Sequence, residues 1–98
     1  MIALYKTPED ADAFFAHYRE VHIPLVRKLP GLAKVEITQI NKTLLGEKGN
    51  FLLAEMTFTD PEAFQAAMRS PENAAAGADA VAFAGELVTV MTGETLEI

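Results

Sequence analysis

Between Thr7 and Leu29 the buried-type positions recur at steps of three and four. Phe14, Tyr18, Val21, His22, Leu25 and Leu29 share one stripe, the pattern of an amphipathic helix. Thr7 suits the N-cap, Pro8 the first helical position, and Glu9 and Asp10 an acidic first turn. Pro30-Gly31 ends the helix. MIALYK before it and the alternating, β-branched KVEITQI after it read as strands. NKTLLGEKGN reads as a loop, and FLLAEMTF as a further strand that is apolar almost throughout. TDP then caps a helix carrying Phe64, Ala67 and Met68. SPENAAAGADAVAFAG reads as another short helical piece, weakened by Gly77, and ELVTVMTGETLEI closes the chain as a strand.

The order strand, helix, strand, strand, helix, strand is the split βαβ pattern of an α+β, ferredoxin-like fold. Such a fold has a four-stranded antiparallel sheet with its helices on one face. FLLAEMTF places Leu52, Ala54, Met56 and Phe58 on one side, with Phe51 and Leu53 on the other. ELVTVMTG likewise offers Leu87 and Met91 on one side and Val88 and Val90 on the other. Apolar residues on both faces call for cover on both faces. The helices supply one cover. A second copy of the chain is expected to supply the other, making a homodimer.

A chain of 98 residues is enough for one domain, taken as residues 1–98. Half of the residues are hydrophobic and the mean hydropathy is +0.14, which is more apolar surface than one small monomer needs. The surplus calls for a partner subunit or a cavity. The net charge is −6 and the eight Lys and Arg residues are scattered, so neither nucleic acid nor an anionic membrane is expected as a partner. The absence of cysteine removes disulfide and thiol chemistry. No apolar run is long enough to span a bilayer, and MIALYK lacks the apolar core of a signal peptide. A soluble, cytoplasmic protein is the expectation.

Two histidines are the first candidates for chemistry. His17 and His22 stand five residues apart, about 140° round an α-helical axis, so their rings are expected on different faces and do not form a shared metal site. His17 falls at the polar edge near Glu20. His22 lies within the apolar stripe, two residues before Pro24, which has no N–H to give the carbonyl of Glu20. Two readings of His22 stand side by side. In one, its ring bonds a freed backbone carbonyl and belongs to the core. In the other, the proline opens a gap between helix and sheet, and a neutral imidazole lining that gap acts as acid or base. Glu55 interrupts an apolar strand and is either paired, for instance with Lys34, or held in a cavity with a raised pKa. Tyr5 and Tyr18 carry hydroxyls that either finish the core or hold a ligand oxygen.

The stretch Tyr18, His22, Pro24, Leu25, then Leu29-Pro30-Gly31-Leu32 resembles the EthD family of dimeric α/β-barrel proteins. A second, weaker patch comprises Ser70-Pro71-Glu72 with Asp79 and Phe83, spaced D-x-x-x-F. The resemblance spans nearly the whole chain, though the chain is short and the loop between its middle strands is small. It implies a ferredoxin-like fold whose sheets pair across a two-fold into one barrel. It also implies a small apolar cleft between helices and sheet. Relatives of this kind include cofactor-free cyclases, isomerases and monooxygenases, and the family takes its name from an ether-degradation cluster in which it accompanies an oxidising system. The function so implied is binding or transforming a small apolar organic molecule without a cofactor, or an accessory role beside an oxidising enzyme. A purely ligand-binding or structural dimer is the alternative. His22 is then the candidate catalytic residue, and Tyr18, Glu55, Tyr5 and Leu25 are the candidate substrate-binding residues.

Overall fold

The computed structural model describes residues 1–98 and opens with strand β1, Ile2–Lys6. Helix α1, Ala11–His17, runs into a π-helical turn, Tyr18–His22, and then into the short helix α2, Ile23–Val26. Strands β2, Leu32–Gln39, and β3, Asn50–Phe58, follow. Helices α3, Pro61–Met68, and α4, Pro71–Ala84, lead to the last strand β4, Val88–Met91. The strands form one sheet in the order β2-β3-β1-β4, and every neighbouring pair is antiparallel. With the helices on one face, this is the expected ferredoxin-like α+β architecture.

Local chemistry sets the element ends. Asp10, not Thr7, is the N-cap of α1, its carboxylate accepting from Ala13 N–H at 3.0 Å. Thr7 is instead tied to the loop before β3, donating its hydroxyl to Gly49 O. Asp60 and Ser70 cap α3 and α4 in the same way, each followed by proline at the first turn. The alanine-rich segment is not a short piece but the longest helix of the chain, 14 residues with Gly77 inside it. Its packing against the sheet outweighs the local cost of one glycine. The closing strand stops at Met91, and residues 92–98 form no regular structure. Gly31 turns the chain between α2 and β2 with φ +73°, and a Cβ there would lie 2.8 Å from that of Ala63. Both the backbone angle and the closeness of α3 therefore require glycine.

Strand alternation sets which residues meet the helices. Tyr5 and Leu52 are register partners, each 1% exposed, and they anchor the core beneath α1. Ala3, Ala54 and Met56 lie on the same face. Phe51 departs from the expected alternation. The register of β1 and β3 shifts between Tyr5 and Lys6, leaving Phe51 without a partner. Phe51 is buried and its ring meets Phe14 and Phe15 at 5.7 and 5.2 Å, so it joins the helix side. Val88 and Val90 pair with Tyr5 and Ala3 on that side too. The outer face keeps half-buried Ile2, Leu4 and Leu53 beside Met91, with Lys34, Glu36 and Glu55 among them.

Candidate functional site

A cavity of about 240 Å³ lies between the sheet and helices. Its cause is residue size. Ile37, Ala54, Ala3 and Val90 form one row across all four strands, and the two central positions are alanines. Above them, α4 presents Ala76, Gly77 and Ala80. Small side chains on both floor and roof leave space that larger ones would fill. A cavity of roughly 150 Å³ holds benzene, so this one has room for more than a single ring. Of the 18 residues lining it, 15 are hydrophobic. His22 is the lining side chain with acid–base character near neutral pH, Met1 also lines the cavity and its amino group donates to Met56 O, and Tyr5 and Tyr18 bring phenols to the same wall.

The π-helical turn places His22 there. Pro24 cannot donate to Glu20, and the chain responds by widening: Ile23 N–H reaches Tyr18 O, five residues back. The extra residue per turn moves the buried stripe. Phe14, Tyr18, His22, Val26 and Leu29 are buried, whereas Val21 is 40% exposed. Leu25, expected at the site, is half-buried against the core and does not line the cavity; Val26 takes that position. The same widening overturns the expectation that His17 and His22 face apart. His17 Nε2 lies 2.9 Å from Asp79 Oδ1, and His22 Nδ1 lies 2.9 Å from Asp79 Oδ2. A carboxylate on α4 joins both rings.

That contact fixes the chemistry of His22. A carboxylate oxygen only accepts, so the proton sits on Nδ1 and the neutral ring keeps its lone pair on Nε2. Nε2 has no hydrogen-bond partner in the chain and is not fully buried, and the His22 ring lines the cavity. Burial holds the pKa of His22 below the usual imidazole value; Asp79 pulls the other way and His17 adds to the lowering. The ring is therefore neutral at pH 7 and able to take a proton. Burial raises the Tyr5 phenol to about 12, with the Tyr18 hydroxyl opposing, and burial likewise raises Tyr18. Both stay protonated; Tyr18 donates to the Tyr5 oxygen, which leaves the Tyr5 O–H to donate to a ligand oxygen. Phe83 braces the assembly, its ring 4.5 Å from His17 and 5.2 Å from His22, while Tyr18 stacks on His22 at 5.5 Å.

Glu55 is not part of the site. Its neighbours Ala54 and Met56 face the helices, so alternation turns Glu55 to the outer face. It is exposed there, in register with Ile2 and Glu36, while Lys34 pairs with Glu36 at 2.7 Å. Asp79 is the residue that the reading by site chemistry passed over. Its signal is a carboxylate in the middle of an alanine-rich helix, one turn before Phe83.

Fold and cavity together define a small ferredoxin-like protein with an apolar chamber between helices and sheet. Residues 6–86 match the EthD domain, and the chain belongs to the EthD family. It is 47% identical to an ethyl tert-butyl ether d (EthD) family protein of Bacillus halodurans, whose crystal structure superposes with a TM-score of 0.90 over 97% of this chain and 95% of that one. It is 30% identical to an uncharacterised 11.0 kDa protein of Rhodococcus erythropolis from the thcB–thcC intergenic region, over 90% of this chain and 85% of that protein. HapK of Hahella chejuensis shares the fold, with a TM-score of 0.62 at 20% identity over 97% of this chain and 91% of that one. No helix is long and apolar enough to cross a membrane.

Proposed function

We propose that this protein binds a small, mainly apolar organic molecule between helices and sheet and transforms it by cofactor-free acid–base chemistry at His22. One observation carries this reading: a buried imidazole, held at Nδ1 by Asp79 with its Nε2 unpaired, lines an otherwise apolar cavity. A proton is removed from an acidic C–H or O–H of the ligand by Nε2 and returned to the same molecule at another atom. The Tyr5 hydroxyl, itself held by Tyr18, orients a ligand oxygen. Burial lowers the basicity of His22 but also strengthens each contact that ligand makes, since no water competes there.

The working form on this reading is a homodimer. The half-buried Ile2, Leu4 and Leu53 on the outer sheet face, beside the 41% exposed Met91, are the surface that a second copy's sheet covers. The name of the Bacillus halodurans relative refers to ethyl tert-butyl ether, a small and mainly apolar molecule of the class proposed here.

A second reading keeps the same cavity without chemistry: a module that holds and delivers a hydrophobic metabolite. The apolar lining, 15 residues of 18, favours it. Native mass spectrometry on protein purified from its own host tests both. The expected species is a dimer of twice 10.6 kDa carrying small-molecule mass. That molecule, incubated with fresh protein, should be converted by the unaltered chain and not by His22→Gln. Recovery of the molecule unchanged from both overturns the acid–base reading in favour of the binding module. A monomer at micromolar concentration overturns the homodimer.

A further inference from the structure

The acid–base reading uses His22 and its carboxylate but leaves His17 without a role. We propose that His17 is a positioning residue for the cavity base: it holds Asp79 through Oδ1, and when it takes a proton from the solvent side it withdraws from His22 the negative charge that makes Nε2 basic. The consequence for turnover rests on the acid–base reading; the test below does not.

The geometry makes one charge serve two rings. Both contacts are 2.9 Å, one to each oxygen of Asp79. The His17 side chain is 35% exposed and that of His22 only 7%, so one ring exchanges protons with bulk water while the other faces the cavity. While His17 is neutral, its Nε2–H leaves the carboxylate its full charge for His22. Once His17 is an imidazolium, it makes a charge-assisted bond to Oδ1 and compensates that charge. His22 then gains less from Asp79 when it takes a proton, so the two titrations are coupled.

The surroundings of the two rings differ. His17 opens on a groove lined by Glu9 and Asp10 from the turn before α1 and by Glu86 from the turn after α4. All three are acidic residues. Around His22 the neighbours besides Asp79 are the neutral phenols of Tyr5 and Tyr18. No Lys or Arg lines the cavity or the groove; the cation of the cavity wall is the Met1 amino group, which donates to Met56 O. The face of Phe83, 4.5 Å from the His17 ring, suits a cation.

The chain has only two histidines, so NMR titration of the full-length, ligand-free protein reads both rings without overlap. In the unaltered chain the His22 signals should show an inflection where His17 titrates, and mainly the Nδ1–H tautomer at pH 8. His17→Gln keeps a neutral N–H for Oδ1. There His22 should titrate in one step at higher pH, with its tautomer retained. His17→Leu removes the donor, and the His22 tautomer should become mixed. A His22 curve with a single step in the unaltered chain, or unchanged curves and tautomer in both variants, overturns the proposal. The titration of the unaltered chain decides the matter even where a variant fails to fold. Turnover that survives His22→Gln, alongside an intact coupling, removes the acid–base reading and leaves the positioning role of His17 standing.

Discussion

Asp79→Asn removes one charge and almost no volume, and its effect can be worked from the contacts it alters. The carboxylate is 15% exposed and accepts from His22, 7% exposed, at 2.9 Å. A charge-assisted hydrogen bond of this kind contributes about 1.5–3 kcal/mol, and a neutral one about 0.5–1.5 kcal/mol. The second contact involves a ring 35% exposed, where solvent screening limits an ionic contribution to under about 1 kcal/mol. An asparagine keeps one acceptor and one donor. Its oxygen can stay on His22 Nδ1–H while its amide N–H meets His17, whose exposed ring changes tautomer freely. What is lost is chiefly the charge assistance, about 1–2 kcal/mol. In a domain of this size each kcal/mol moves the melting point by about 4–8 °C, so a fall of about 4–16 °C is expected. Melts followed by circular dichroism at pH 8, at one fixed protein concentration, measure it; the fixed concentration holds any association equilibrium constant. A melting point within about 1 °C of the unaltered chain would refute the claim that Asp79 organises this wall. Asp79→Ala should cost more, because it leaves a buried Nδ1–H with no partner.

Other outcomes follow from the same geometry. Burial lowers the folded-state pKa of His22, so the unfolded chain takes up that proton first as pH falls. The stability contributed by neutral His22 is fully present above about pH 6.5 and declines below it. Urea midpoints at pH 8 and pH 5.5 should therefore differ less in His22→Gln than in the unaltered chain; an equal difference contradicts the burial argument. Gly77→Ala adds a Cβ that meets nothing within 4 Å, and it should raise stability by about 0.5–1 kcal/mol through helix propensity. Gly77→Phe should fill the roof of the cavity, and benzene titration followed by NMR should show its uptake lost while the fold persists. Gly31→Ala places a side chain at φ +73° and 2.8 Å from Ala63 Cβ; urea unfolding should show a loss of at least about 1–2 kcal/mol. Glu55→Gln should leave ligand uptake unchanged, because its side chain lies on the other face of the sheet.

Where local pattern carried the information, the fold was legible in the sequence: two-residue alternation in β2, three-and-four spacing from α1 into α2, and the Asp60-Pro61 cap of α3. The cavity was half-legible. His22 and Tyr18 stood out as polar groups on a buried stripe, but the empty space above Ala3 and Ala54 depends on Gly77 and two alanines coming from a distant helix. No local pattern reports that pairing. Glu55 was placed at the site because an acid in an apolar strand looks costly, yet alternation between Ala54 and Met56 turns it outward, where it costs little.

The meeting of the two histidines was hidden for a more specific reason. Ideal α-helical geometry separates positions 17 and 22, and only the π turn forced by Pro24 swings them towards one carboxylate. Pro24 therefore does more than end a hydrogen-bond ladder. With an α-helical donor at that position, the turn would relax, His22 would rotate away from Asp79, and Val21 would move into the stripe. On this argument the proline, the five-residue spacing and Asp79 form one device, and each loses its purpose without the other two.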